Sequence, residues 1–255
     1  AAVFLTGLLG LENVPGPTVQ QACATSARAL QMAAAEVAQG SAGCALIVCA
    51  DRMSNGPVVY YPDATAPGGR GITESWTLDN FGHDPYAKNA MIDTAENAPA
   101  RLGIGAAELN EVTLARYAQY QAALADDRAF QRRYMVEAPL FDSGFRRQTG
   151  TLAADEGIFP TTAEGLAKLK PVKPNGTHTF GTQTHPADGN AGMIVTTREL
   201  ARALSADSAI EVELLGFGQA RVDKGFMPLA PAPAAQVALQ RAGLTIKDVD
   251  AVKTH

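Results

Sequence analysis

The chain has 255 residues, of which 46% are hydrophobic and 18% are charged, and this balance indicates a folded globular protein rather than a disordered one. Its formal net charge of -5 at pH 7 argues against nucleic acid or an anionic membrane as a partner, because both are bound through clustered Lys and Arg. Three cysteines, an odd number, do not make a secreted disulfide framework. We therefore expect a reducing compartment, the cytoplasm, and no apolar run is long enough to span a bilayer.

The first part of the chain predicts a strand, a helix and a second strand. Residues 14–21 lead into residues 26–39, where Ala, Leu and Met recur at helical spacing before Gly40. Residues 43–50 are continuously apolar, which is typical of a strand buried on both faces of a mainly parallel sheet. Cys23 is therefore expected at the corner between the first strand and the helix.

The middle of the chain predicts loops and then helices. Residues 53–82 are rich in Gly, Pro, Tyr and Asp without a sustained period, which indicates an extended loop region. Helical spacing returns in residues 91–102, 106–125 and 128–135. Residues 176–192 are a polar Gly, Thr and His segment with little room for a regular element.

The last part returns to alternating strands and helices. The helices expected after the middle region are residues 166–169, 199–204 and 233–242. The strands expected there are residues 193–197, 210–217 and 249–252.

Cys23 is the first candidate for chemistry. A cysteine just before a helix N-terminus meets the positive end of the helix dipole and free backbone N–H groups, and both favour thiolate over thiol. Burial as a small apolar side chain, the commonest fate of a free cysteine, is the alternative. Cys44 and Cys49 lie inside the apolar run, so we expect both of them to be buried.

The surroundings of Cys23 resemble the nucleophile region of thiolases. Residues 21–26 read Gln-Ala-Cys-Ala-Thr-Ser, and an Ala-rich helix and an apolar strand follow before Asp-Arg-Met-Ser at residues 51–54. The thiolase pattern is Gln-x-Cys-x-Ser-Gly and then a strand that ends in Glu-Ser-Met-Ser. The resemblance implies that Cys23 accepts an acyl group from a thioester.

Further segments resemble thiolases in the same order along the chain. Residues 91–97, Met-Ile-Asp-Thr-Ala-Glu-Asn, resemble Met-Gly-x-Thr-Ala-Glu-Asn. Residues 155–171 resemble the stretch before the pantetheine-binding loop. Residues 176–184, Gly-Thr-His-Thr-Phe-Gly-Thr-Gln-Thr, resemble that loop, Gly-Thr-x-Thr-Ala-Gly-Asn-x-Ser, and an Asp-Gly follows in both. Residues 228–250 resemble the approach to the family's Asn-Glu-Ala-Phe segment.

The resemblance implies roles for several residues. Thr184 stands in the place of the serine that contacts the pantetheine arm of coenzyme A, and Phe180 and Gly181 lie in the same loop. Met91 matches a methionine near the acyl and pantetheine pocket, and a core position is its alternative. His255 falls on the family's Asn, which holds a water in the oxyanion site, and a frayed terminal residue is its alternative.

The resemblance also implies a fold. It consists of two similar layered α/β halves, each a mixed sheet covered by helices, with a loop domain over the active site. Residues 1–53 and 187–208 form the N-terminal half, 54–186 the loop domain, and 209–255 the start of the C-terminal half. The family's opening elements and its Gly-His-Pro and Cys-x-Gly segments have no counterpart, so we expect an internal portion of a longer chain and leave an organelle open.

The implied function is acyl transfer between coenzyme A thioesters, as Claisen condensation of acetyl-CoA or thiolysis of a 3-ketoacyl-CoA, in fatty acid metabolism. Acyl-CoA is then a substrate, no cofactor is permanently bound, and a homodimer or homotetramer is expected. No metal is expected, because His178, His185 and Asp188 match no familiar ligand spacing.

Two alternatives stay open. A ketoacyl synthase shares the fold and the cysteine corner, but the pantetheine-loop match around Thr184 argues against it. A catalytically inactive thiolase-like protein that binds acyl chains or lipids is favoured by the absent segments and by two departures from the family. Ala90 stands where many members carry His, and Phe159 stands where many carry an Arg that faces the nucleotide.

Overall fold

The computed structural model describes residues 2–184 and 186–254, with the backbone alone at Asn55. Its helices are α1 (Ala2–Leu8), α2 (Thr25–Ala38), α3 (Trp76–Gly82), α4 (Met91–Leu102), α5 (Ala106–Ala123), α6 (Ala125–Arg128), α7 (Ala163–Ala167), α8 (Arg198–Leu204) and α9 (Pro231–Ala242). Its strands are β1 (Cys44–Asp51), β2 (Val58–Tyr61), β3 (Ile72–Ser75), β4 (Ala138–Phe141), β5 (Gln148–Leu152) and β6 (Gly189–Thr196).

The chain divides into two units. Unit 1 contains the residues up to Pro57, Ala187–Arg221 and the residues from Ala230 onward. Unit 2 contains Val58–Pro186 and Val222–Leu229. The domain boundaries expected from the sequence stay a prediction.

Unit 1 is built on an antiparallel pair. Strand β1 pairs with β6 from Cys44 opposite Thr196 to Asp51 opposite Gly189, and helix α2 packs on this pair. The predicted strand is thus present, but parallel pairing is wrong for it within the described chain, and its side chains are not buried on both faces. A continuous apolar run identifies a strand without fixing the direction of its partner.

Three other segments predicted as strands have no regular structure: residues 14–21, 210–217 and 249–252. In the first, Pro15 and Pro17 remove two backbone donors that a strand ladder would use. In the second, the backbone at Gly216 lies against α9, since a Cβ built there would lie 2.7 Å from the Ala238 carbonyl oxygen. Glycine is therefore required at this close approach.

Unit 2 contains two hairpins and the helices α3 to α7. Strands β2 and β3 pair antiparallel, as do β4 and β5, so regular structure in residues 53–82 is a correction to the expected loop. Helix α4 has the bounds that the sequence predicts, whereas the predicted helix 128–135 is wrong. The chain turns there instead, because Asp126 and Asp127 adopt left-handed backbone conformations, with φ of 50° and 54°.

Little apolar surface is buried within the described residues. The buried hydrophobic side chains are Ala33, Ala98 and Leu166. No described helix has the length and apolar character needed to cross a membrane.

Candidate active site

The corner before helix α2 presents Cys23 to solvent. Thr25 closes the turn, because its hydroxyl donates to the Ala22 carbonyl at 2.7 Å and accepts the Gln21 N–H at 2.8 Å. Ala22 has φ of 46°, a left-handed conformation that costs a non-glycine residue about 1 kcal/mol. Cys23 is exposed in this chain, as a nucleophile must be to meet its substrate.

Helix α2 gives Cys23 its electrostatic setting. The helix has 14 residues, and its first-turn N–H groups carry partial positive charge toward the preceding corner. Groups of this kind are suited to stabilise an oxyanion that develops beside them. The other cysteines differ from the expectation, since Cys44 is exposed and Cys49 is only half-buried. Both lie on β1, which has a single partner strand among the described residues.

Arg28, near the start of α2, stabilises the corner that contains Cys23. Its Nε donates to the Gln21 side-chain oxygen at 2.8 Å, and its other nitrogens donate to Gln31 and Gln219. The guanidinium also lies 5.3 Å from the centre of the Phe217 ring. Sequence reasoning gave Arg28 no role, because two of these partners lie far along the chain.

A second contact in unit 1 joins Ser54, which follows β1, to Asp188, which precedes β6. The Asp188 carboxylate accepts the Ser54 N–H at 2.8 Å and also accepts its hydroxyl. The hydrogen bonds from Ser54 lower the pKa of the Asp188 carboxyl below its ordinary value, and the bond from the Ser54 hydroxyl has the largest effect. The two short motifs that resemble thiolases at residues 51–54 and 188–189 are therefore neighbours in space.

In unit 2, residues 176–184 form a tight turn that we call the 176–184 loop. Its centre is a 3₁₀ turn, Phe180–Thr182, preceded by the buried Thr179. Thr179 N–H donates to the Thr182 hydroxyl at 3.0 Å, and Gly181 N–H donates to the Thr179 hydroxyl at 3.1 Å. A Cβ on Gly181 would lie 2.4 Å from Leu166 Cδ2, so the loop packs closely against α7.

The residues expected to bind substrate lie in unit 2. Thr184 is exposed, the Phe180 side chain is 78% exposed, and Gly181 is half-buried. Met91 begins α4 and is 37% exposed. Cys23 lies in unit 1 and His255 lies outside the described residues. The roles of these residues in binding and catalysis stay predictions.

Glu96 of α4 anchors the start of the 176–184 loop. Its carboxylate accepts the Thr177 N–H at 2.9 Å, the Thr177 hydroxyl at 2.7 Å and the His178 N–H at 2.9 Å. Burial raises the pKa of the Glu96 carboxyl, but the hydrogen bonds from Thr177 and His178 outweigh burial and the net pKa is lowered. A Cβ on Gly176 would lie 2.5 Å from Glu96 Oε1, so the carboxylate would have to shift to accept a side chain there.

The rest of α4 holds its neighbours in the same way. Asp93 accepts the Ala90 N–H at 2.9 Å, which caps the helix, and also pairs with Lys173. The Asn97 amide donates to the Gly225 carbonyl at 2.8 Å. Residues 91–97 therefore hold several neighbouring segments in place through hydrogen bonds and an ion pair, a role that their sequence did not reveal.

No group of three or more His, Cys, Asp or Glu side chains within residues 2–184 and 186–254 is placed to hold a metal ion. His185, one of the ligands considered from the sequence, lies outside the described residues.

Comparison with known proteins assigns the family. The model of the thiolase N-terminal domain matches residues 3–199, well over half of the chain. The chain belongs to the thiolase family. This thiolase chain is 31% identical over 256 residues to peroxisomal 3-ketoacyl-CoA thiolase B of Rattus norvegicus, covering 98% of the chain and 56% of that protein. It is 29% identical over 249 residues to a beta-ketothiolase of Cupriavidus necator, covering 95% of the chain and 61% of that protein.

The fold is a thiolase fold as well. The crystal structure of human mitochondrial 3-ketoacyl-CoA thiolase in complex with CoA matches with a TM-score of 0.80 at 25% identity. The match covers 98% of this thiolase chain and 62% of that one. The chain thus spans a little over half the length of the curated relatives named above.

Proposed function

We propose that the protein containing this chain transfers acyl groups between coenzyme A thioesters, with Cys23 as the acyl carrier. The observation that carries the proposal is the exposed thiol of Cys23 at the N-terminal corner of α2, in a chain of the thiolase family. The reaction is Claisen condensation of acetyl-CoA or its reverse, thiolysis of a 3-ketoacyl-CoA. Both directions pass through the same acyl-enzyme.

The first step is a thioester exchange. The Cys23 thiolate attacks the acyl carbonyl carbon, a new C–S bond forms, the bond to the coenzyme A sulfur breaks, and the departing thiolate takes up a proton. One thioester replaces another, so this step is nearly balanced in free energy. First-turn N–H groups of α2 are suited to stabilise the oxyanion that forms on the way.

Acyl-CoA is the proposed substrate and no permanently bound cofactor is proposed. Support comes from the 176–184 loop, where Thr184 and Phe180 are exposed and available to a ligand. The human mitochondrial relative was crystallised in complex with CoA, which supports the same class of ligand here. Met91 and Gly181 are proposed to complete the binding surface, and His255 to hold the oxyanion water.

We also propose the oligomeric state, the metabolic role and the cellular compartment of the protein. A homodimer or homotetramer is consistent with the many exposed apolar side chains of this chain. A place in fatty acid metabolism is supported by relatives named 3-ketoacyl-CoA thiolase. The cytoplasm is proposed from the three free cysteines, which indicate a reducing environment.

A second candidate is a thiolase-like protein that binds acyl chains without turning them over. The exposed aromatic side chains of Phe159 and Phe180 favour it, because each offers apolar surface at a position where the family pattern has another residue type. A ketoacyl synthase gains no such support from the described residues.

Kinetic comparison of two cysteine variants tests the proposal. The natural protein is given a 3-ketoacyl-CoA and free CoA, and thiolysis is followed as loss of the 3-ketoacyl thioester. Cys23→Ala is expected to lower kcat at least about a thousandfold, whereas Cys44→Ala, a matched exposed cysteine on β1, is expected to keep it. If the unmodified protein binds acyl-CoA but does not turn it over, the result would contradict the proposed acyl transfer and favour a protein that only binds acyl chains.

A further inference from the structure

Helix α4 contains a proline at a position that leaves one of its carbonyl groups without a helical partner. Pro99 is buried inside the helix and has no N–H group. The regular bond from residue 99 to the carbonyl of Ala95, four residues earlier, is therefore absent. A buried or half-buried carbonyl in this situation is costly unless another donor reaches it.

His178 supplies the missing donor. Its Nε2 lies 3.2 Å from the Ala95 carbonyl oxygen. Because a carbonyl oxygen only accepts, this contact requires a proton on Nε2. The same orientation of the ring brings Nδ1 to the 176–184 loop.

The second nitrogen reaches the turn of the 176–184 loop. Nδ1 of His178 lies 3.3 Å from the Thr182 hydroxyl oxygen, which is able to donate its proton to the ring. The same hydroxyl accepts the Thr179 N–H at 3.0 Å and has the Thr179 carbonyl at 3.1 Å as a competing acceptor. The ring therefore connects the middle of α4 to the 3₁₀ turn that precedes Thr184.

The residue types at positions 178 and 182 are not set by the thiolase pattern quoted above. The thiolase pattern has a variable position at 178 and Asn at 182, and here the two positions carry His and Thr, which contact each other. Glu96 already holds the backbone at Thr177 and His178. The side chain of His178 adds a separate connection between α4 and Thr182, which lies four residues further along the loop.

We propose that His178 is a positioning residue for coenzyme A, acting through Thr182 to hold the part of the 176–184 loop that presents Phe180 and Thr184. The proposal rests on the proposed function, in which this loop contacts the pantetheine arm. His178 touches neither the substrate nor Cys23 in this account. Its effect is to limit the conformations of the loop before coenzyme A binds, which lowers the entropy lost on binding.

Two measurements on the natural protein and its His178→Leu variant separate binding from chemistry. Calorimetric titration gives the Kd for free CoA, and the rate of Cys23 acetylation by ethyl thioacetate, which has no pantetheine arm, reports the nucleophile. We expect His178→Leu to raise the Kd about tenfold, the change that loss of one hydrogen-bonded tie produces. The acetylation rate is expected to stay within about twofold, because the loop is not used.

A second variant excludes an effect through helix stability alone. In the double variant Pro99→Ala with His178→Leu, the new N–H at position 99 can donate to the Ala95 carbonyl, so the helix regains its regular bond. We expect its Tm to return toward that of the unmodified protein while the Kd for CoA stays raised.

The outcomes separate the two proposals. A Kd that returns to the unmodified value in the double variant would overturn the positioning role, since His178 would then only repair α4. An unchanged Kd in His178→Leu would overturn it as well. If the unmodified protein binds CoA but Cys23 is acetylated neither by acetyl-CoA nor by ethyl thioacetate, the proposed acyl transfer fails while the Kd values still decide the role of His178.

Discussion

The Glu96 carboxylate accepts hydrogen bonds from three donor groups of Thr177 and His178, residues that lie 81 and 82 positions further along the chain. Among individual residues, the sequence revealed Cys23 as a candidate nucleophile, because a local motif and the start of a helix surround it. It did not reveal Glu96 as an anchor. A hydrogen bond between such distant residues depends on the fold, and no local spacing predicts it.

Replacement of this carboxylate gives a prediction with a pH signature. Glu96→Gln in the natural protein is expected to lower the free energy of unfolding at pH 7 by about 1–2 kcal/mol, because hydrogen bonds to a charged acceptor are replaced by weaker ones. Denaturant unfolding at a series of pH values measures it. The matched control is Glu111→Gln on an exposed turn of α5, which should change little.

The sign of the pH dependence follows from the lowered pKa of Glu96. A carboxyl whose pKa is lower in the folded state stabilises the fold above its ordinary pKa, and the contribution is lost as the pH falls through the folded value. The difference in unfolding free energy between the unmodified protein and Glu96→Gln should therefore shrink below about pH 4. A difference that grows on acidification would contradict the assignment.

Elements with their own periodicity were predicted more accurately than elements that need a partner. Helix α4 has the predicted bounds, and α9 begins two residues before the predicted start, because caps and apolar spacing are local features. Strand β2, Val-Val-Tyr-Tyr, was missed although its residue types favour strands. Residues 210–217 were assigned to a strand but have no regular structure, and Gly216 lies against α9.

The close packing of the 176–184 loop on α7 gives a prediction at this scale. In Gly181→Ala the new Cβ would lie 2.4 Å from Leu166 Cδ2 and 2.8 Å from Leu169 Cδ1, and Leu166 is buried, so it has little freedom to move. We expect a loss of about 1–3 kcal/mol in stability and a higher KM for acyl-CoA. Thermal unfolding and steady-state kinetics measure the two effects.

Gly82→Ala is the matched control for this substitution. Gly82 ends α3 in the same unit, and a Cβ there meets no atom within 4 Å. Its Tm and KM should equal those of the unmodified protein. Equal values for Gly181→Ala would show that the loop does not pack on α7 as described.

For the whole molecule, the family resemblance foresaw the thiolase fold, which the structural comparison confirms. Burial was harder to foresee from sequence. The apolar runs that predicted buried strands are present, yet Leu46 of β1 is 51% exposed and Ile194 of β6 is 58% exposed. Burial depends on what covers a strand, and that information lies outside the strand itself.

This exposure predicts the behaviour of the 255-residue chain produced by itself. Because large apolar side chains such as Leu46 and Ile194 are more than half exposed, the chain should associate and bind an apolar fluorescent dye. Sedimentation and dye fluorescence measure this, with the natural protein as the control. A monomeric chain that binds no dye and unfolds cooperatively would contradict the prediction.

The central claim is that Cys23 carries the acyl group, and mass spectrometry of the natural protein after brief incubation with acetyl-CoA tests it most directly. We predict one acetyl adduct on the intact protein, located by peptide mapping on Cys23 and absent from Cys44 and Cys49. Subsequent addition of free CoA should remove the adduct, because thioester exchange is reversible. An unmodified Cys23, or an adduct found only on another cysteine, would contradict the account.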